Sequence, residues 1–116
     1  MRIISQDGTI DVPYNLSSLS VACGKYKDVE YACIYCHNIS APHGTNLAEY
    51  SSKEKALKAM EMLREQYKAL EVLKILANGT EEHMEKSFKP DEFAEYNRAY
   101  RDMNVFQFPQ DDEIEV

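Results

Sequence analysis

An export signal, a membrane span, a disulfide framework and a catalytic motif are all missing from this sequence. Arg2, Ser5, Gln6 and Asp7 interrupt the early apolar stretch before the apolar region of a signal peptide can form. No apolar run is long enough to span a bilayer, so a membrane partner is not expected. The chain is therefore expected in the cytoplasm, where Cys23, Cys33 and Cys36 stay reduced and unpaired. Neither G-x-S-x-G, a Walker loop nor H-E-x-x-H occurs, and the helical carboxylates have basic neighbours, Glu54 with Lys58 and Glu61 with Arg64. No enzyme and no cofactor are expected.

Positive charge is also scarce. Lys and Arg number 13 against 20 Asp and Glu, a formal net charge of -7. That field repels a phosphate backbone, which disfavours general nucleic-acid binding. It leaves two kinds of partner: one with a basic surface, or a small anion held by a few local cations.

What is present is an ordinary folding composition, 44% apolar and 28% charged over 116 residues, the length of one domain spanning 1–116. Residues 2–6 and 9–12 are short apolar runs around Asp7-Gly8, which predicts a tight hairpin with Ile3 opposite Val12 and Ser5 opposite Ile10. Pro13 ends the second strand, and 16–23, 29–38 and 46–50 read as further strands of an antiparallel meander, with residues 24–28 as a turn. On 29–38, Val29, Tyr31, Cys33 and Tyr35 share one face, and Glu30, Ala32, Ile34 and Cys36 the other.

Ser51 with Glu54 reads as a capping box opening a helix over 52–77, and Asn78-Gly79 closes it. Ala56, Met60, Leu63, Tyr67, Leu70, Leu73 and Ala77 form its apolar stripe. Met62, Val72, Ile75 and Leu76 lie outside that stripe, which predicts a homo-oligomer built through helix 52–77. Residues 80–87 read as a short helical turn or a loop. Pro90 opens a second helix with an apolar face of Phe93, Tyr96, Tyr100 and Met103. A strand over 105–108 follows, stopped by Pro109, and the acidic tail 110–116 is expected to fray. The fold class is α+β: an N-terminal antiparallel sheet packed on one long and one shorter helix, with a returning C-terminal strand.

Three constellations carry candidate chemistry. Cys33-Ile34-Tyr35-Cys36-His37 spells a haem attachment string, yet an extended strand sends Cys33 and Cys36 to opposite faces and haem attachment requires export. Strand residues are the first reading; zinc, with Cys23 or His43, stays open. His37 and Asn38 stand at a strand end before a Pro-Gly loop, where side chains are placed to meet a ligand or to bond their own turn. Lys86, Lys89, Arg98 and Arg101 interleave with Phe88, Phe93, Tyr96 and Tyr100, the pairing a nucleotide needs: rings stack a base and guanidinium groups hold phosphate. Arg98 and Arg101 also complement the dipole at the end of the second helix.

The opening MRIISQDGTIDVPY and the closing VFQFPQDDEIEV resemble the two ends of a family of small prophage-encoded proteins of Gram-positive bacteria. That resemblance implies a role in host takeover or in evading host defence. The order of sheet, long helix and second helix also resembles the first family of Thoeris anti-defence proteins, oligomeric sponges for cyclic ADP-ribose isomers and, in some members, cyclic oligonucleotides. The expected function is sequestration of such a nucleotide signal in the host cytoplasm without cleavage. Arg98, Arg101 and Lys89 would hold phosphates, Phe88, Tyr96 or Tyr100 would stack a base, and His37 with Asn38 would bond a sugar or base edge. The rival expectation is an acidic inhibitor that mimics nucleic acid and occupies a defence protein directly, as an anti-CRISPR does.

Overall fold

The computed structural model describes the backbone of residues 1–38, 43–87 and 90–116, and the side chains of 1–38, 43–75 and 94–116. Strands β1 (Arg2–Ile4) and β2 (Asp11–Pro13) pair antiparallel with Ile3 opposite Val12, as the alternation predicts. Their turn differs from the expected two-residue form. Gly8 alone adopts positive φ, at 78°, and its N–H donates to the Ser5 carbonyl at 2.9 Å. The Asp7 carboxylate accepts from the Ser5 and Thr9 hydroxyls, both at 2.7 Å, and from the Thr9 N–H at 3.0 Å. A side chain thus organises the loop, and these donors hold the Asp7 carboxyl down at about 2.

The primed turn lies elsewhere. β3 (Ser18–Tyr26) and β4 (Val29–His37) join through Lys27 and Asp28, with φ of 50° and 64°, the two positive values that match strand twist. Gly24, Lys25 and Tyr26, expected in the turn, belong to β3, and Leu16 falls before it in a 3-10 turn, Tyr14–Leu16. β5 (Thr45–Tyr50) pairs antiparallel with β4, with a register shift between Ile34 and Tyr35.

The single meander expected from the spacings is two sheets. One has the order β3-β4-β5; the other is β2-β1-β6, in which β6 (Val105–Gln107) lies parallel to β1, with Ile3 opposite Phe106. Alternation reveals which residues share a face, but a parallel pairing across about a hundred residues has no local signal. The class is α+β with two helices, α1 (Lys53–Ser87) and α2 (Pro90–Met103).

Ser52, not Ser51, caps α1: its hydroxyl accepts the Lys55 N–H at 3.2 Å. Ser51 instead donates its N–H and hydroxyl to the Asp111 carboxylate, at 2.7 and 3.1 Å. The helix does not stop at Asn78-Gly79. It continues through both and through 80–87, so its 35 residues extend about 52 Å along a molecule 62 Å in its longest dimension. Pro90 opens α2 as expected.

Ala56, Ala59, Leu63 and Leu70 of α1 are fully buried, and Ala56, Ala59 and Leu63 join Ala32, Ile34, Cys36, Ala48 and Tyr50 of the second sheet in one apolar cluster. Ile3, Val12, Phe106 and Phe108 bring the first sheet into the same cluster. Of the expected stripe, Met60, Tyr67 and Leu73 are half-buried, and Ala77 lies outside the described side chains. Of the surplus residues, Val72 and Ile75 are exposed and Met62 is at the border, Leu57 is also exposed, and Leu76 lies outside the described side chains.

The tail packs back onto the fold. Asp111–Glu113 forms a 3-10 turn, Ile114 is buried in the shared cluster, and Asp111 binds Lys55 Nζ at 3.2 Å as well as Ser51. These donors lower the Asp111 pKa, the Ser51 backbone N–H most of all. Three clustered acids in sequence predict solvation, yet one of them has specific donors waiting and an isoleucine follows it inward.

Candidate functional site

A cleft opens between the Tyr14–Leu16 turn, the start of β3 and one face of α1. Pro13 ends β2 because it has no N–H to continue a ladder, and the chain then turns. Three bonds fix that turn. The Tyr14 N–H donates to the Met1 carbonyl at 3.0 Å, the Ser17 hydroxyl to the Pro13 carbonyl at 2.6 Å, and the Ser17 N–H to the Tyr14 carbonyl at 3.3 Å. The Tyr14 ring stacks on Tyr67 of α1, centroids 4.3 Å apart and planes 30° from parallel. The turn is thereby pinned to the helix before any ligand arrives.

Leu19, Met60 and Leu63 supply the apolar part of the lining, and Tyr14, Asn15, Ser17 and Arg64 the polar part. The volume is about 450 Å³, within the ordinary range for a small-molecule site. Among the described residues no carboxylate lines it. Glu61, the expected partner of Arg64, instead lies 3.8 Å from Lys58, and Glu54 makes no ion pair among the described residues. No described carboxylate comes within ion-pair distance of Arg64. In a chain of net charge -7, this cleft holds one guanidinium and no acid.

A second cleft of about 200 Å³ has the opposite character. Gln6, Asp7, Asn46 and Glu49 line it, with two carboxylates and no cation. Gln6 is fully used there: its amide donates to the Glu49 and Pro109 carbonyls, both at 3.1 Å, and accepts the Glu49 N–H at 3.0 Å. This cleft joins the sheets and repels anions.

The residues expected to converge on a ligand are spread out. Arg98 and Arg101 are exposed on α2 and line neither cleft; Tyr96 and Tyr100 are half-buried on the same helix. Phe88 and Lys89 lie outside the described residues, as do the side chains of Lys86 and Phe93. His37 ends β4, hydrogen-bonded to Ser20 Oγ at 3.1 Å, with its ring where a Cβ on Gly44 would fall. Ser18 faces His37 across the ladder and Leu19 faces Cys36, so His37 and the cleft residue Leu19 occupy opposite sheet faces. Asn38 sends its amide toward the Cys36 sulfur at 4.0 Å.

Cys36 is fully buried in the apolar cluster, whereas Cys33 lies on the other face of β4 beside Tyr35, Asn46 and Glu49. Burial, with help from Glu49, raises the Cys33 thiol pKa. Among the described residues no group of three or more His, Cys, Asp or Glu is placed to hold a metal ion, and Cys33, Cys36 and His37 do not converge. No described helix is long and apolar enough to cross a membrane.

Sequence reasoning missed Tyr14, Asn15 and Arg64. Arg64 follows Met60 by four residues on the shoulder of the apolar stripe, a position that overlooks whatever the stripe covers. Its assignment to Glu61 hid that signal. Comparison with protein-family models, curated proteins and solved structures finds no match to this chain.

Proposed function

We propose that the protein binds and sequesters a nucleotide-like anion in the Tyr14–Arg64 cleft without cleaving it, as a phage anti-defence protein capturing a cyclic nucleotide signal. The observation that carries this reading is the charge of the cleft: among the described residues it has one guanidinium with no ion-pair partner, a fixed tyrosine ring and no carboxylate, in an acidic chain. Arg64 holds a phosphate through paired N–H donors, the Tyr14 ring packs against a base, and the Asn15 amide reads a polar edge. The turn is already bonded in place, so little ordering cost opposes binding. The lining offers no acid or imidazole to move a proton, and the Ser17 hydroxyl is engaged by Pro13, which supports holding over cleavage.

Arg98 and Arg101 have no part in this reading. The acidic-mimic alternative draws less support than the composition gave it, because Asp111 serves Ser51 and Lys55 and the tail is not a free acidic arm. Calorimetry of the purified protein against cyclic ADP-ribose isomers and cyclic di- and trinucleotides tests the proposal. The wild type is expected to bind at least one of them, and Arg64→Ala to weaken binding about tenfold or more, the scale of a charge-assisted phosphate contact. Arg98→Ala and Arg101→Ala are expected to bind as wild type. Silence of the wild type across that panel removes the proposal.

A further inference from the structure

The cleft between the Tyr14–Leu16 turn and α1 offers a nucleotide few kinds of contact, and each occurs once. Among the described residues Arg64 is the single cation in its lining. Of the basic side chains on nearby turns of α1, Lys58 lies 3.8 Å from Glu61 and Lys55 binds Asp111, while Lys68 stands a turn beyond Arg64 and outside the lining. The Tyr14 ring has one face against Tyr67, centroids 4.3 Å apart, which leaves one face at most for a base. Asn15 brings the one side-chain amide, and the Ser17 hydroxyl donates its proton to the Pro13 carbonyl, so it has none to give an anion. Leu19, Met60 and Leu63 make the remainder apolar. The volume of about 450 Å³ falls in the lower part of the roughly 300–1,000 Å³ range of small-molecule sites and suits one nucleotide unit.

These contacts set a limit on charge. A guanidinium engages two oxygens of one phosphate, and a phosphodiester carries one negative charge, so the two neutralise each other. A phosphomonoester carries nearly two charges at neutral pH, and a diphosphate bridge carries two. The excess charge of either meets an apolar floor, no second cation in the lining and a chain of net charge -7. Arg64 is exposed, so its added attraction for a dianion is screened by water, whereas the desolvation of the unmatched charge has no partner to offset it.

We propose that the cleft selects a single nucleotide unit with a singly charged phosphodiester, as in a 3′,5′-cyclic mononucleotide, over phosphomonoesters and diphosphates of the same base. This selectivity rests on the cleft reading above and ranks the ligands named there. Cyclic oligonucleotides, joined by diesters, fit better than cyclic ADP-ribose isomers, whose bridge is a diphosphate.

Calorimetry with three adenine ligands, 3′,5′-cyclic AMP, 5′-AMP and cyclic ADP-ribose, is the test. At about pH 7.5 cyclic AMP is expected to bind about tenfold or more tightly than either of the others, the scale of one unmatched charge. Lowering the pH to about 5.5 takes the monoester through its second pKa of about 6 and leaves the diester as it was. The affinity of 5′-AMP is then expected to approach that of cyclic AMP, and no imidazole lines the cleft to titrate in that interval. Asn15→Lys adds a second cation at an exposed position whose side chain is not among the bonds that fix the turn. It is expected to move the ratio about tenfold toward 5′-AMP at about pH 7.5, and the loss of the Asn15 amide cancels between ligands that share a base.

Binding of 5′-AMP or cyclic ADP-ribose as tight as that of cyclic AMP, or a ratio unmoved by pH or by Asn15→Lys, overturns the diester preference; the cleft reading still stands if Arg64→Ala weakens that binding. Cyclic di- or trinucleotides that bind where cyclic AMP does not overturn the single-unit site alone. No binding of any of these ligands, or binding indifferent to Arg64→Ala, overturns both.

Discussion

The two three-stranded sheets meet in one core but are secured by different means. β2-β1-β6 has three-residue strands, and much of what holds it is polar: Asp7 organises its own turn, and Gln6, Gln110 and Asp111 spend their side chains on backbone groups of distant segments. β3-β4-β5 has two nine-residue strands, β3 and β4, and is held by apolar burial of Ala32, Ile34 and Cys36 beneath α1. The ties of the polar sheet reach β5 and the segment before α1. The apolar one keeps a free edge and the cleft, because burial constrains only one of its faces and leaves its rim unspent.

That contrast is open to direct attack. Ile34→Ala, at a fully buried position of β4, is expected to cost about 2–5 kcal/mol in urea unfolding, the range for deleting a large aliphatic side chain from a packed core. Gln6→Ala leaves the N–H and carbonyl of Glu49 without their side-chain partner, while the Pro109 carbonyl keeps the Tyr50 hydroxyl, and is expected to cost about 1–3 kcal/mol. If Gln6→Ala proves the more damaging of the two, the polar ties and not the apolar layer dominate, and the comparison is inverted.

Acid sharpens it further. The Asp7 and Asp111 carboxyls both sit below the ordinary value of 3.8 in the folded protein, Asp7 at about 2. A depressed folded pKa means a contribution fully present above the unfolded value and lost as pH falls through the folded one. Stability is therefore expected to decline between about pH 4 and pH 2, and Asp7→Asn and Asp111→Asn to flatten that decline in acid titrations followed by circular dichroism. Both carboxylates are well exposed, so the effect is smaller than either substitution above.

How much of this was legible in the sequence follows from the range of each interaction. Ile3 opposite Val12, the Ala56–Leu70 stripe and the Pro90 start are set by neighbours a few residues apart, and all were readable. The division into two sheets depends on β1 meeting β6, which no local pattern records. The primed turn went to Lys27-Asp28, two residues that take positive φ without being glycine, while the obvious Asp-Gly made a side-chain-organised loop. The cleft was illegible for the same reason as the sheets. Its two walls, at 14–19 and 60–64, lie more than forty residues apart, and each wall alone looks like a turn or an ordinary helix face.

The parallel seam between β1 and β6 also has a consequence for how the protein is made. Ile3 is synthesised about a hundred residues before Phe106 and finds it only after the helices between them have been made. Pairings of such separation form late and slowly, and until then the hairpin of residues 2–13 has no third strand beside it. Birth of the native state is thus a closing of the circle, in which residues 105–114 seat a strand made long before them.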